Sequence, residues 1–177
     1  SDLSYYDYYV FDDPTISEKN NGDGIIDAGE TIHLGVLIRN HWGQARKTKV
    51  KLIAAANPVD AVLNPYITWH TDTVEYGDIG TYMTNSNGFV YDPEDSSIIG
   101  ITDPFVFTVS EKAPNDSYLT FCVLIDCESY EEDESVNQYH FQSDSFTAMV
   151  RHGVELPRRI SSDMVLKSDT YYILSGS

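Results

Sequence analysis

The sequence predicts an all-β sandwich of about seven strands, and three observations lead to this prediction. Helical periodicity is almost absent, whereas apolar and polar residues alternate with period two in several segments. Residues that favour turns, namely Gly, Pro, Asn and Asp, cluster between those segments. The length of 177 residues suits one domain with or without a short appendage. Seven short strands joined by such turns are typical of an immunoglobulin-like sandwich.

The clearest predicted strand is Thr31–Asn40, in which the apolar residues Ile32, Leu34, Val36 and Ile38 fall on one parity. After a turn at residues 41–44, the next segment sets Val50, Leu52 and Ala54 against three lysines. The region from Gly77 to Gly100 predicts loops with one short strand. The acidic run Glu131–Glu134 predicts a solvated hairpin loop. The remaining predicted strands are Leu3–Phe11, Ile67–Glu75, Phe105–Val109, Leu119–Ile125 and Tyr139–Arg151.

The pattern changes near residue 153, where we expect a domain boundary. Residues 1–153 are predicted to form the immunoglobulin-like β-sandwich. Residues 154–177 read as a linker and the entry strands of a following, truncated domain, which gives the sandwich a short C-terminal β extension.

The charge of the chain argues against two classes of partner. With 28 acidic and 11 basic residues the formal net charge is −17, and such a surface repels nucleic-acid phosphates and anionic lipid. No apolar run approaches the roughly 18 residues that span a bilayer. We therefore expect no nucleic-acid partner and no membrane insertion. Without an initiator Met or a signal peptide, the chain is interpreted as a mature form or a piece of a longer protein.

The two cysteines, Cys122 and Cys127, lie in one predicted strand. An offset of five places them on opposite faces and roughly 16 Å apart, too far for a disulfide without a bulge or turn between them. Free thiols are the favoured interpretation, and the compartment cannot be read from them.

The segment Lys19–Glu30 predicts a calcium-binding loop. Calcium takes six to eight oxygen ligands, and a twelve-residue loop can supply them from alternate positions, with a glycine at position 6 and an acid at position 12. Gly24 falls at position 6, and Ile26, at position 8, is expected to point inward as an apolar anchor. The predicted ligands are Asn21, Asp23, the carbonyl of Ile25, Asp27 and Glu30.

Position 1 of this loop departs from the pattern, because Lys19 cannot bind a cation. Asp12, Asp13 or Glu18 is close enough in sequence to supply the missing ligand. A strand rather than a helix follows Glu30, so the loop is expected to hold a structural ion rather than to act as a switch. The alternative is that Asn-Gly-Asp-Gly is only a turn. That alternative leaves the spacing of Asp27 and Glu30 unexplained.

The stretch Asn21–Ile32, running into a strand that ends at Asn40, resembles bacterial cell-adhesion-related (CARDB-like) immunoglobulin-like modules. Their strand closes in Asn-x-Gly, whereas here one extra residue separates Asn40 from Gly43. The resemblance covers Phe11 to Gly153. It implies a non-catalytic spacer or adhesion module of a secreted or surface-anchored bacterial protein. The tail, at residues 162–166 and 171–176, is similar to the entry of a secreted right-handed parallel β-helix.

Two other function classes are open to the sequence. The five histidines lack zinc-type spacing, and no nucleophile elbow or phosphate-binding glycine loop is present, so an enzyme is not expected. A carbohydrate-binding module is the alternative, because Trp42, Trp69 or the tyrosines near the start of the chain could stack on sugar rings. For the tyrosines, packing of one parity into the sandwich is the favoured interpretation. The expected partners are neighbouring domains of the same chain, with polysaccharide or a cell-surface protein as further candidates.

Overall fold

A computed structural model describes residues 1–56, 62–130 and 135–151, together with strands at 153–156 and 171–174. The described residues form strands and turns without helices, which confirms the predicted all-β fold. The acidic run Glu131–Glu134 and most of the tail lie outside the described residues. The strands are β1 (Leu3–Phe11), β2 (Ile26–Asp27), β3 (Thr31–Asn40), β4 (Ala45–Ala55), β5 (Ile67–Thr71), β6 (Thr73–Ile79), β7 (Thr84–Asn85), β8 (Phe89–Tyr91), β9 (Ile98–Ile101), β10 (Phe105–Val109), β11 (Ser117–Tyr130), β12 (Val136–Arg151), β13 (Gly153–Leu156) and β14 (Tyr171–Leu174).

Two five-stranded sheets make up the sandwich. The first has the order β1-β3-β10-β5, with β7 also paired to β3, and the second has the order β2-β12-β11-β4-β6. All pairs in both sheets are antiparallel except β2 with β12, which is parallel. Chain neighbours β3 and β4 belong to different sheets, so the turn at residues 41–44 connects the two layers at one end of the sandwich.

The core lies between the sheets and is built from the alternating residues that the sequence predicts. Ile32, Leu34, Val36 and Ile38 of β3 are fully buried. They belong to one cluster with Phe105, Phe107 and Val109 of β10 and with Leu119, Phe121, Val123 and Ile125 of β11. Burial of one parity on each sheet removes these apolar side chains from water, which is the main stabilising term of the fold.

Aromatic rings link the two layers. The ring of Phe146 on β12 stacks on Tyr5 and Tyr8 of β1, with centroids 4.6 Å and 5.0 Å away. Phe121 lies 5.2 Å from Phe146. Tyr5 and Tyr8 both pack against the core although they differ in parity, because the register of β1 shifts between Tyr5 and Asp7, whereas Tyr6 and Tyr9 are exposed. The expectation that one parity of the tyrosines packs inward is therefore corrected by this bulge.

The predicted strand Ile67–Glu75 is divided at Asp72. Its first half, β5, pairs with β10 in the first sheet, whereas its second half, β6, pairs with β4 in the second. The Asp72 carbonyl accepts a hydrogen bond from the N–H of Leu52 at the crossing point. The apolar residues change parity here, from Ile67 and Trp69 to Val74 and Tyr76, and this change coincides with the division between the two sheets.

The region Gly77–Gly100 contains more strand than predicted. It includes β7, β8 and most of β9, and the last two form a separate hairpin. This hairpin covers the first sheet at Gly35, where an added Cβ would collide with Phe89. The side chain of Asn87 forms hydrogen bonds with the backbone of β3, as a neighbouring strand would. Its Oδ1 accepts from Val36 N and its Nδ2 donates to Leu34 O, both at 3.0 Å.

Strand β12 is the last strand, in chain order, of the two five-stranded sheets. Strand β12 ends at Arg151 and β13 begins at Gly153. Strands β13 and β14 pair in parallel as a separate two-stranded sheet. The two cysteines are free thiols on opposite faces of β11, with Cys127 buried and Cys122 half-buried.

Candidate metal-binding loop

The predicted calcium loop, Lys19–Glu30, belongs to the connection between β1 and β3, which runs from Asp12 to Glu30 and contains the short strand β2. Ile26 is buried in the core, as the loop pattern predicts for its apolar anchor. Because Ile26 and Asp27 pair in parallel with Val150 and Arg151, the loop is held against the end of β12. The apolar anchor and the strand pairing together fix the loop on the second sheet.

Asp12 folds over the first half of the loop. Its carboxylate accepts hydrogen bonds from the N–H groups of Asp23 (3.1 Å) and Gly24 (3.0 Å), and its carbonyl accepts one from Gly22. Asp13 points away, where its carboxylate accepts the N–H of Thr15 at 2.8 Å. The Asp12 carboxylate therefore contacts the loop, whereas the Asp13 carboxylate bonds to Thr15 outside it.

The turn at residues 21–25 is shaped by its own side chains. The Asn21 carbonyl oxygen accepts the N–H of Asp23 at 3.1 Å, and the Asp23 carboxylate accepts the N–H of Ile25 at 2.8 Å. These are successive Asx turns. Gly24 adopts a φ of 78°, a left-handed conformation that costs glycine little and costs most other residues about 1 kcal/mol or more.

Glu30 closes the second half of the loop. It is 1% exposed, and its two carboxylate oxygens accept the N–H groups of Asn21 (3.1 Å) and Asp27 (2.9 Å). Asn21 also donates from Nδ2 to Asp27 Oδ2 at 2.8 Å. Three of the predicted ligands are therefore joined by direct hydrogen bonds.

Asn20 is a residue of this site that the sequence did not single out. It is buried, its Nδ2 donates to the carbonyls of Asp13 and Thr31, and its Oδ1 accepts the N–H of Thr31. Asn20 thus ties both ends of the loop together. No spacing rule distinguishes it from Asn21, which is exposed. Lys19 forms an ion pair outside the loop, with Glu111.

The loop is also hydrogen-bonded to the end of β12. The N–H of Ala28 donates to the carbonyl of Arg151 at 3.2 Å, beyond the two β2–β12 pairs. On the other side, Gly29 donates to Val109 O and Val109 donates to Glu30 O. The loop is therefore hydrogen-bonded both to β10 of the first sheet and to the last residue of the second.

Burial of acidic groups sets the electrostatics of the loop. Asp12, Asp27 and Glu30 are 3%, 7% and 1% exposed. Burial raises the pKa of Glu30 to about 7, and the charges of Asp12 and Asp27 add to this effect against the hydrogen bonds donated by Asp27 and Asn21. Burial likewise raises the pKa of Asp12, opposed by the N–H of Gly24 and reinforced by Asp23. Ionisation of Asp12 and Glu30 is therefore unfavourable in the folded, metal-free loop.

This electrostatic arrangement predicts a pH dependence of stability in the metal-free protein. The pKa of Glu30 is about 7 in the folded protein and near 4.5 when unfolded, so its stabilising contribution is complete below about pH 4.5 and is lost as the pH rises to 7. We expect the free energy of unfolding of the wild type to fall by about 1–3 kcal/mol relative to Glu30→Gln across this range. Urea denaturation in chelator at several pH values measures the difference. A constant difference would contradict the buried-carboxylate interpretation.

The predicted ligands are brought together in part. The side chains of Asp12, Asn21, Asp27 and Glu30 lie in one hydrogen-bonded network, with Asp23 at its exposed edge. Within the described ranges, however, no three His, Cys, Asp or Glu side chains are grouped so that they could hold a metal ion. The carboxylates of Asp12 and Glu30 accept backbone N–H groups instead. Calcium binding therefore remains a prediction.

The two tryptophans of the alternative function lie in different environments. Trp69, on β5, is half-buried and packs edge-on against Phe107 and Phe121, with centroids 5.3 Å and 5.9 Å away. Trp42, in the turn between β3 and β4, is 68% exposed. Trp42 is therefore the more available of the two rings for an external ligand.

Comparison with known proteins leaves the resemblance untested. No protein-family model matches the chain, and a search of curated proteins finds no significant match. In the part of the chain that the structure describes, no helix has the length and apolar character needed to cross a membrane.

Proposed function

We propose that this chain is a non-catalytic extracellular spacer or adhesion module of a secreted or surface-anchored bacterial protein, stabilised by one calcium ion at the Asp12–Glu30 loop. The observation that favours the ion is the burial of three carboxylates, those of Asp12, Asp27 and Glu30, in a single loop. Buried carboxylates need a compensating charge or a full set of hydrogen bonds. Hydrogen bonds alone leave the pKa of Glu30 raised to about 7.

The donor chemistry of the loop fits calcium. The candidate ligands Asp12, Asn21, Asp27 and Glu30 supply only oxygen, which a hard cation prefers, and softer nitrogen or sulfur ligands are absent from this set. A divalent cation would offset the repulsion between the carboxylates and favour their ionised forms. To bind it, Asp12 and Glu30 would exchange backbone N–H partners for the ion. The ligands would therefore rearrange within the loop.

The spacer role is supported by the contacts at the end of the domain. The loop pairs with Val150 and Arg151 at the end of a strand, so an ion there would stiffen the point at which the chain leaves the sandwich. Beyond that point β13 and β14 pair in parallel. Parallel pairing of short strands agrees with a following β-helix-like domain, as the tail resemblance implies.

Calcium is expected to raise the melting temperature. Binding to the folded state at a hundredfold excess over the dissociation constant adds about 2.7 kcal/mol, which corresponds to about 5–10 °C for a domain of this size. The gain should be larger at pH 7.5 than at pH 5, because binding must displace the proton from Glu30. Thermal unfolding in millimolar calcium, in magnesium and in chelator measures both effects.

Matched variants distinguish calcium binding at the loop from a general effect of calcium on an acidic surface. Asp27→Asn and Glu30→Gln should abolish most of the calcium-dependent gain, whereas Glu94→Gln, at an exposed position in the turn between β8 and β9, should retain it. A melting temperature that does not respond to calcium in the wild type would rule out the metal. An equal response in Glu30→Gln and Glu94→Gln would place the ion elsewhere.

A further inference from the structure

A cleft of about 470 Å³ opens at the end of the sandwich where the turn between β3 and β4 meets the hairpin of β11 and β12. Its lining combines one exposed aromatic ring with mostly polar groups. The residues that line it are Ser1, Trp42, Gly43, Gln44, Arg46, Ser129 and Tyr139.

Trp42 is held in place by a buried side chain. Asn40 is fully buried, its Oδ1 accepts the N–H of Trp42 at 3.2 Å, and its Nδ2 donates to the carbonyl of Gly43. Gly43 supplies the left-handed conformation that the turn needs, with φ of 62°. The Trp42 indole is thus exposed on a rigid turn, and little backbone entropy would be lost when a ligand covers it.

A second exposed aromatic ring, that of Tyr82, lies beside Trp42. Tyr82, in the turn after β6, adopts a φ of 60°, a left-handed conformation that is unfavourable for a bulky residue. Its ring is 57% exposed and lies edge-on to Trp42, with centroids 6.3 Å apart. Met83 next to it is exposed as well. The carbonyl of Met83 accepts the N–H of Asn40, so the two turns form one unit.

The rest of the lining contains hydrogen-bonding groups. Gln44 supplies an amide, Arg46 a guanidinium, and Ser129 and Tyr139 supply hydroxyl groups. Gln44 and Arg46 are exposed and follow Trp42 on the chain, whereas Ser129 is buried. An aromatic ring and several polar side chains around one cleft can bind a sugar, whose C–H face packs on the ring while its hydroxyl groups form hydrogen bonds.

We propose that this cleft, which we call the Trp42 cleft, binds a neutral polysaccharide chain. Neutral sugars are favoured over uronic acids or sulfated chains because the protein carries a net charge of −17 and repels polyanions. A protein partner fits less well, since a stable protein interface needs about 1,000 Å² or more with an apolar centre, and the residues that line this cleft are mostly polar.

The Trp42 cleft is remote from the candidate calcium loop. Ser117 at one end of β11 pairs with Val150, which also pairs with Ile26 of the loop, whereas Ser129 at the other end lines the cleft. At about 3.3 Å per residue these ends lie about 40 Å apart along the strand. The sugar site therefore does not depend on the metal proposal, and one can fail without the other.

Affinity electrophoresis of the full chain tests the proposal with soluble cellulose derivatives, xylan, β-1,3-glucan, mannan and starch, and with polygalacturonate as the charged comparison. We expect retardation by at least one neutral polymer and none by polygalacturonate. Tryptophan fluorescence in a Trp69→Phe background reports Trp42 alone, since the chain has 2 tryptophans. That signal should shift to shorter wavelength with the same polymer, because the ring leaves water.

Variants distinguish a sugar site from a structural role. Trp42→Ala should weaken binding at least ~10-fold while the melting temperature stays within about 1 °C, because the side chain is exposed. Tyr82→Asn should also weaken binding without loss of stability, since Asn tolerates the left-handed backbone. Tyr118→Ala, 61% exposed on β11, is the matched control and should bind as the wild type does. Absence of binding to every neutral polymer, or unchanged binding by Trp42→Ala, would overturn the proposal.

Discussion

Replacing Asn40 by aspartate is expected to lower the free energy of unfolding by about 3–5 kcal/mol at pH 7. The Asn40 amide donates to the carbonyls of Gly43, Ile79 (3.0 Å) and Gly80 (3.2 Å), and the residue is fully buried. Aspartate has nearly the same shape, but it would bring a negative charge against three carbonyl oxygens and would remove the amide that donates to all of them. Urea denaturation of the wild type and the variant measures the loss.

The loss of unfolding free energy in Asn40→Asp should depend on pH. Such a dependence would show that the loss arises from the charge of the new carboxylate rather than from a change of shape. The pKa of the carboxyl group introduced at position 40 would be raised above the usual aspartate value of about 3.9, because only the neutral acid can donate to a carbonyl. The destabilisation is then complete above the folded-state pKa and shrinks as the pH falls below it. Asn85→Asp is the matched control, since its amide donates to a single carbonyl, that of Tyr76. Equal losses in the two variants would show that the multiple carbonyl contacts at Asn40 are unimportant.

Phe121→Ala is the second large effect, with an expected loss of about 3–5 kcal/mol. The Phe121 ring is fully buried at the centre of the aromatic cluster, with Phe146, Phe107 and Trp69 at centroid distances of 5.2 Å, 5.4 Å and 5.9 Å. Truncation to Ala removes the contacts of one ring with three others and leaves a cavity between the sheets, which the surrounding rings can fill only in part. Thermal and urea unfolding measure this loss directly.

The same strand supplies the control for this experiment. Tyr118→Ala removes an aromatic ring of similar size from β11, but that ring is 61% exposed, so we expect a change within about 0.5 kcal/mol. Phe121→Leu should recover much of the stability because it refills the space. A loss of less than about 1 kcal/mol in Phe121→Ala would mean that the two sheets close over the gap and that the cluster is not the centre of the core.

The predicted fold followed from patterns that are local in the chain. Residues Thr31–Asn40 alternate so regularly that their burial could be assigned before their partners were known, and the structure confirms it. The pairing partners of the strands could not be assigned in the same way. The segment Ile67–Glu75 reads as one strand, yet its two halves belong to β5 and β6, which lie in different sheets. Period-two alternation reports which face is apolar, but it carries no information about the strand on either side.

For the candidate site too, the sequence predicted the local spacing of the residues but not how they pack. The spacing of Asn21, Asp23, Asp27 and Glu30 indicated a shaped acidic loop, because the chemistry of ligand spacing is contained in a short segment. The choice of Asp12 over Asp13 depends on the direction in which β1 ends. Asn20 was missed because only the packed loop shows that its side chain, rather than that of Asn21, turns inward.

The sequence alone determined the all-β class, the buried parity of strands such as Thr31–Asn40, and the position of the acidic loop. These depend on local chemistry: side-chain alternation, turn-forming residues and the order of oxygen-bearing groups. Only the tertiary structure decided that the loop holds Arg151 at the end of β12, that Trp69 packs into the core, and that Trp42 lies exposed beside a polar cleft. Those facts depend on which strands lie next to one another, and contacts between residues far apart in the chain determine that arrangement.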